Sequence, residues 1–287
     1  MAKKISLSIS TFAFAAFFLA VVSGLILAFQ YAPFGNVFRN VEEITTVIPY
    51  GFFFRRFHYA AGHLFLILCL FHTVDHFVRK SHRDMGLKKW GFLTGLLLVT
   101  FFSVFTGFIL KGDQEGAFAG TIMFNLICTI PWCGETIAGF FIKPDSHFFL
   151  LPYIHHVIVL NLIIIVLVYD HLRQILPGFK HVLPLAAGLA LYALVVKMPL
   201  DIPPDARVAS IQGPWFFIGI QGLLKILPPF FAGILLPTCL VLCFFVLPLV
   251  RGLPEKALRL LIVFGVVILA GFGLQGWWEH PGIMVFQ

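Results

Sequence analysis

The chain has 287 residues, of which 60% are hydrophobic, 16% aromatic and only 11% charged. Soluble domains carry about 25% charged residues, so this composition excludes an ordinary cytosolic domain, a disordered chain and a nucleic-acid-binding module. The net charge of +7 is read first as membrane topology and only then as a polyanion surface.

A bilayer span needs about 20 mainly apolar residues. Seven runs qualify, at 8–30, 57–78, 90–110, 150–170, 181–198, 229–250 and 257–275. The first follows Met1-Ala2-Lys3-Lys4. It is longer than a signal-peptide core and lacks a small-residue cleavage site, so it reads as a retained span. Longer segments at 31–56, 111–149 and 199–228 all fall on one side of the membrane. The second contains apolar stretches too short to span, at 120–131 and 136–142, which read as short interfacial helices, as does 213–226. No internal repeat appears. The expected fold is an all-α membrane protein of seven transmembrane helices, the first four forming one unit and the last three another.

Seven spans put the termini on opposite faces. The N-terminal side then collects Lys3, Lys4, Arg79, Lys80, Arg83, Lys88, Lys89, Arg173, Lys180, Arg251, Lys256 and Arg259, for a net +8 against −1 on the other side. The positive-inside rule places the N-terminus in the cytoplasm and the C-terminus outside. The basic balance therefore implies a lipid bilayer and no nucleic acid. Of the cysteines, Cys69, Cys239 and Cys243 sit in apolar runs. Cys128 and Cys133 share an outer segment, and a disulfide between them is left open.

Histidines carry the chemistry. The second span holds His58, His63, His72 and His76, and the fourth region holds His147, His155, His156 and His171. Ionisable groups inside a span mark a functional site by default. On a regular helix His58 and His72 lie about 40° short of four turns apart, with a rise of about 21 Å. His156 and His171 lie about 60° past four turns, with a rise of about 22.5 Å. The two spans run in the same direction, so His58 meets His156 and His72 meets His171 at matching heights. Facing imidazoles at two levels suit the axial positions of two six-coordinate b-type haems. A tetrahedral zinc would need four ligands close together. His63, His147 and His155 point elsewhere on regular helices and read as packing residues; His76 shares the angle of His58 at a poorly matched height.

The chain resembles cytochrome b of the cytochrome bc complexes. The resemblance rests on His58-x13-His72 and His156-x14-His171, with the longer gap in the form of the chloroplast-type branch. It rests also on Tyr50-Gly51-x3-Arg55-x2-His58, Thr106-Gly107 with Asp113-Gln114 and Gly116, Ile130-Pro131 with Gly134, Tyr153, and Trp278-Glu279-His280-Pro281 with Gln287. Seven spans are similar to the four-helix chloroplast cytochrome b fused to its three-helix companion. The resemblance implies a di-haem domain at 1–178 and a C-terminal-like domain at 179–287. It implies axial ligands His58, His156, His72 and His171, with Arg55 serving a haem propionate. It also implies glycines, here Gly24 and Gly107, that let haem pack against backbone. The paired glycines expected at the inner side fall on Ser10 and Leu93, with Gly91 and Gly95 nearby. The cysteine that anchors an extra haem would fall on Ser8, so a third, covalently bound haem is not expected, and the two b-type haems are expected to be non-covalent.

The expected function is transmembrane electron transfer between the two haems, coupled to menaquinone or ubiquinone chemistry, in a redox subunit of a larger oxidoreductase. Expected partners are iron–sulfur or c-type cytochrome subunits and the quinone pool, with a homodimer among the expected assemblies. Asp75, Asp170 and Arg173 are candidates for an inner quinone site, and Trp215 and Phe216 for an outer one. The family's outer Pro-Glu-Trp-Tyr motif reads Gly213-Pro214-Trp215-Phe216 here. Its proton-accepting carboxylate is missing, so outer-face quinol bifurcation is expected to be weak or absent. Two rivals remain: an adaptor linking a soluble dehydrogenase or reductase to the quinone pool, and a non-redox transporter using histidines as proton relays.

Overall fold

The computed structural model describes residues 2–198, 201–206 and 211–279, without the side chains of 2–7, 277 and 279. His280, Pro281 and Gln287 of the resemblance lie outside the described residues. Among those described there is helix and no strand.

Five helices are long and apolar enough to cross a membrane: α1 (Ala2–Ala28), α3 (Gly51–Val78), α4 (His82–Ile109), α7 (Leu150–Ile175) and α11 (Leu253–Glu279). The expected spans at 181–198 and 229–250 appear as shorter apolar helices, α8 (Phe179–Val195) and α10 (Phe230–Phe245). Four short helices lie between them: α2 (Val37–Thr46), α5 (Gln114–Cys128), α6 (Gly134–Phe141) and α9 (Ile218–Leu223). Helices α4 and α7 depart from regularity. In α4, Gly86 takes φ 69° and ψ 168°, so the straight helix begins after it. In α7, a π-turn runs over His155–Val159 and a 3-10 turn over Tyr169–His171.

Helices α1, α3, α4 and α7 close a four-helix bundle, each packing on its neighbours in that cyclic order. Its interior is apolar and aromatic, with Ala13, Ala16, Phe17, Phe65, Cys69 and Ile164 buried together. Helices α2, α5, α6 and α9 gather at one end, where α3 and α7 begin and α4 finishes. The tight turn from α4 into this cap uses Gly112 at φ +67°; a Cβ there would meet Val37 Cγ1 at 2.6 Å. Cys128 and Cys133 are free.

The C-terminal helices dock on the outside of the bundle. Helix α8 packs on α1 and α3, α10 on α4, and α11 on α9 and α10. At the uncapped end Glu255 is buried and accepts from Arg83 at 2.9 Å and from His82 Nε2, also at 2.9 Å. One turn deeper, the fully buried Trp90 donates its indole N–H to the Phe244 carbonyl at 2.6 Å and stacks on the Phe244 ring. Trp90→Ala removes that bond and opens a cavity between α4 and α10. It should cost about 3–5 kcal/mol, read as a lowered unfolding midpoint of the protein in detergent.

Candidate functional site

At the capped end the bundle encloses a cavity of about 230 Å³ between α1, α3, α4 and α7. His58 and His156 face each other across it, with ring centroids 5.9 Å apart and planes at 86°. Each ring is held by the neighbouring helix in the same way. His58 Nδ1–H donates to the carbonyl of Ala20 at 2.9 Å, with Ser23 Oγ at 3.3 Å. His156 Nδ1–H donates to the carbonyl of Ser103 at 2.8 Å, with Thr106 Oγ1 at 3.3 Å. A carbonyl only accepts, so the proton sits on Nδ1 and Nε2 keeps its lone pair.

The residue after each hydroxyl is a glycine, and the reason is steric. A Cβ on Gly24 would stand 2.7 Å from His58 Cε1, and one on Gly107 would stand 2.8 Å from His156 Cε1. The pairs Ser23-Gly24 on α1 and Thr106-Gly107 on α4 are therefore one device used twice. Each hydroxyl turns back onto its own helix, Ser23 to Leu19 at 2.7 Å and Thr106 to Phe102 at 2.9 Å. That keeps the helix continuous while the carbonyl one turn before the glycine holds the imidazole.

This arrangement fits an axially ligated planar macrocycle. Metal–imidazole bonds of roughly 2 Å on opposite faces of one metal put the two ring centroids about 6 Å apart. The cavity walls beyond the histidines are apolar and aromatic, including Phe17, Val21, Phe65, Val104 and Phe108. No group of three or more His, Cys, Asp or Glu is placed to hold a bare metal ion among the described residues. Two imidazoles, two glycine cradles and an apolar slot thus match the requirements of haem and not those of a four-ligand protein site.

The other expected pair is built differently. His72 lies edge-on to His76 at 4.6 Å, and its Nδ1 is buried with no hydrogen-bond partner. His171 sits half-buried at the end of the 3-10 turn, and no ring contact joins it to His72. The nearby glycines do not cradle either ring: a Cβ on Gly91 would meet Phe245, and one on Gly95 would meet Leu167. Leu93 is buried against Trp90, Leu247 and Ile262.

Around these rings the remaining expected residues take distinct places. Asp75 pairs with Arg79 on its own helix at 2.6 Å, Asp170 approaches Lys88 at 3.7 Å, and Arg173 is exposed. Trp215 and Phe216 lie against His63, with centroids at 6.4 and 6.3 Å, and Phe216 reaches the cavity wall. His63 also lines this cavity, although a regular-helix projection turns it away from His58. His155 is buried against Phe140 and Phe141, and His147 pairs with Asp145 near the surface. Tyr153 stacks on Tyr31 at 5.3 Å beside the cavity.

Arg55 lines the cavity mouth, and its guanidinium is already engaged, with Asp201 at 2.5 Å and Thr45 at 3.0 Å. Beside it stands Lys111, which sequence reasoning missed. Its Nζ lies 2.8 Å from Asp113, 2.9 Å from Glu115 and 3.8 Å from Asp201. Burial alone would lower the Lys111 ammonium; the fields of Asp113, Glu115 and Asp201 outweigh it and hold the group above its ordinary value. Burial likewise pushes the Asp113 carboxyl up, against the pull of Lys111. The signal for Lys111 in the sequence was a lysine flanking a span with acids two and four residues on, a common surface pattern. Only the fold shows that it is enclosed.

Lys111→Met leaves Asp113 and Glu115 buried without their cation. It should cost about 3–5 kcal/mol at neutral pH. Without the lysine the Asp113 carboxyl loses the main pull against the burial that raises it, so the destabilisation is present above the ordinary carboxylate range of about 4 and relieved as pH falls toward it. Unfolding midpoints of variant and parent, compared at pH 7 and near pH 4, check the sign.

Comparison with known proteins gives the family and the fold. Residues 3–176 match the protein family described as Cytochrome b/b6/petB. Among solved structures, a chain of a hyperthermophilic respiratory Complex III superposes with a TM-score of 0.61 at 16% identity, covering 94% of this chain and 89% of that one.

Proposed function

The chain belongs to the cytochrome b/b6 family, and from that premise we propose that it is the di-haem, electron-carrying membrane subunit of a bc-type or related quinone oxidoreductase. The observation that carries the reading is the His58–His156 pair in its double glycine cradle. Bound there, a b-type haem supplies a one-electron carrier whose potential is tuned by its axial ligands and burial. The protein's own part is positional. Ala20 and Ser103 hold the two imidazoles by their Nδ1–H groups and leave Nε2 for the iron. Gly24 and Gly107 leave room for the imidazole rings of His58 and His156. Arg55 lines the cavity mouth beside Lys111, where a haem carboxylate would compete with Asp201 for its guanidinium.

His72 and His171 are the ligands of a second haem at the uncapped end. The absence of a cradle there leaves that site to be shaped by the haem itself and by His76. The capped end faces outward, as the charge distribution supports. The uncapped, cytoplasmic end takes the quinone that draws protons from inside. Asp75, Asp170 and Arg173 lie at this end and provide polar, proton-passing groups. Domain boundaries at 178 and 179 divide the haem bundle from the docked helices.

At the capped end Gly213-Pro214-Trp215-Phe216 presents aromatic faces and no carboxylate. Phe216 and Phe217 pack on Phe101 and Phe105 of α4. This favours a subunit in which bifurcated quinol oxidation at the outer face is weak or absent. A subunit of that kind would instead pass electrons at this end to a bound iron–sulfur or c-type cytochrome partner, the adaptor form of the function.

The test is a pyridine haemochrome assay on the purified protein, expected to give two b haems per chain. His58→Ala should remove the capped-end haem and keep the other; His171→Ala should do the reverse. Gly24→Val should mimic His58→Ala, because its side chain would collide with the His58 ring. Protein that binds no haem b, with its fold intact, would rule the reading out.

A further inference from the structure

Helix α7 carries both of its candidate ligands where it departs from α geometry. At His156 the departure is a π-turn over His155–Val159, in which the Leu160 N–H reaches back five residues to the His155 carbonyl. In an α-turn that N–H would pair with the carbonyl of His156. The His156 carbonyl is therefore released from its ordinary donor, inside an apolar bundle where an unpaired backbone group is costly. The side chain of Asn161 meets the need. Its Nδ2 donates to the His156 carbonyl at 2.8 Å and to the Val157 carbonyl at 3.0 Å. Asn161 is half-buried and lines the same cavity as the His156 ring.

We propose that Asn161 is a positioning residue for the haem ligand His156, stabilising a π-turn that absorbs one extra residue of α7. The inference rests on the reading of His156 as a ligand. A π-turn is an α-turn with one residue added, so the helix below it keeps the face and height it would have without that residue. His156 and His171 are fifteen positions apart, whereas His58 and His72 are fourteen apart on the regular α3. The π-turn takes up one residue of this difference, ahead of the 3-10 turn over Tyr169–His171. By tying the backbone of His156 itself, Asn161 also fixes where the imidazole leaves the helix and meets Ser103 and Gly107. Within the π-turn Ile158 is 51% exposed, so it is the position whose deletion disturbs the bundle interior least.

The experiment combines side-chain replacement with deletion in the full-length protein. Asn161→Asp keeps the volume and removes both N–H donors; Asn161→Leu removes the polar group altogether. Both should weaken retention of the capped-end haem by about 10-fold or more, the usual effect of losing a group that orients a metal ligand. Both should also shift the low-spin electron paramagnetic resonance signal of that haem and leave the other haem's signal in place. Deleting Ile158 should restore a regular helix and keep both haems. In the deletion background Asn161→Leu should have no effect on either readout, because the His156 carbonyl then regains its backbone donor. A parent protein without haem b would sink the ligand reading itself. With two haems in the parent, unchanged signals in Asn161→Asp and Asn161→Leu would overturn the role of Asn161. So would loss of the capped-end haem on deleting Ile158, or an Asn161→Leu effect that persists in the deletion background.

Discussion

The structure depends on one hydrogen bond made twice: an imidazole N–H from one helix to a backbone carbonyl of the next. Carbonyls inside a membrane helix are normally consumed by the helix itself, so a second donor must approach from the side. The Ala20 and Ser103 carbonyls are approachable because a glycine follows one turn later on the same face, and any Cβ there would collide with the incoming ring. The bond removes the ambiguity of the tautomer and directs the remaining nitrogen. Much else follows from it: the pairing of α1 with α3 and of α4 with α7, the height at which they cross, and the slot between the rings.

The two ends of the bundle are consequently unequal. The capped end has ring, carbonyl, hydroxyl and glycine in a repeated set. The other end has His72 beside His76, with Leu93 buried where a glycine would open space. A preorganised site costs little to fill, whereas a site whose imidazole still lacks a partner on Nδ1 must be ordered by what binds it. The same chain thus offers one rigid and one adaptable imidazole environment.

Much of this was legible from residue type and spacing. The long apolar runs that became α1, α3, α4, α7 and α11 were visible because lipid demands length. Histidines in such runs stood out because ionisable groups there are expensive. What could not be read was whatever depends on helix irregularity or on distant segments meeting. Regular-helix projection turned His63 away from the cavity that it lines. It also placed His171 by fifteen even steps, through a π-turn and a 3-10 turn that both change the angle per residue. Asn161 looked like an isolated polar residue in an apolar helix until the released His156 carbonyl showed its task. Lys111 resembled an ordinary flanking lysine, because nothing local reveals that Asp201, ninety positions away, will close over it.

That closure joins the two halves of the chain at the point where charge matters most. Asp201 belongs to the segment between α8 and α9, yet it bonds Arg55 of α3 and lies near Lys111 at the cavity mouth. Arg55 and Lys111 face three carboxyls, from Asp113, Glu115 and Asp201. With every group ionised this cluster has one negative charge in excess, in a setting that penalises it. Burial pushes the Asp113 carboxyl upward, in the direction that relieves this excess. A further carboxylate drawn to Arg55 would have to displace Asp201. The electrostatics of the candidate cofactor site are therefore set by the C-terminal half as much as by the bundle. An isolated four-helix unit would keep the imidazole cradle and lose the counter-charge that Asp201 gives to Arg55.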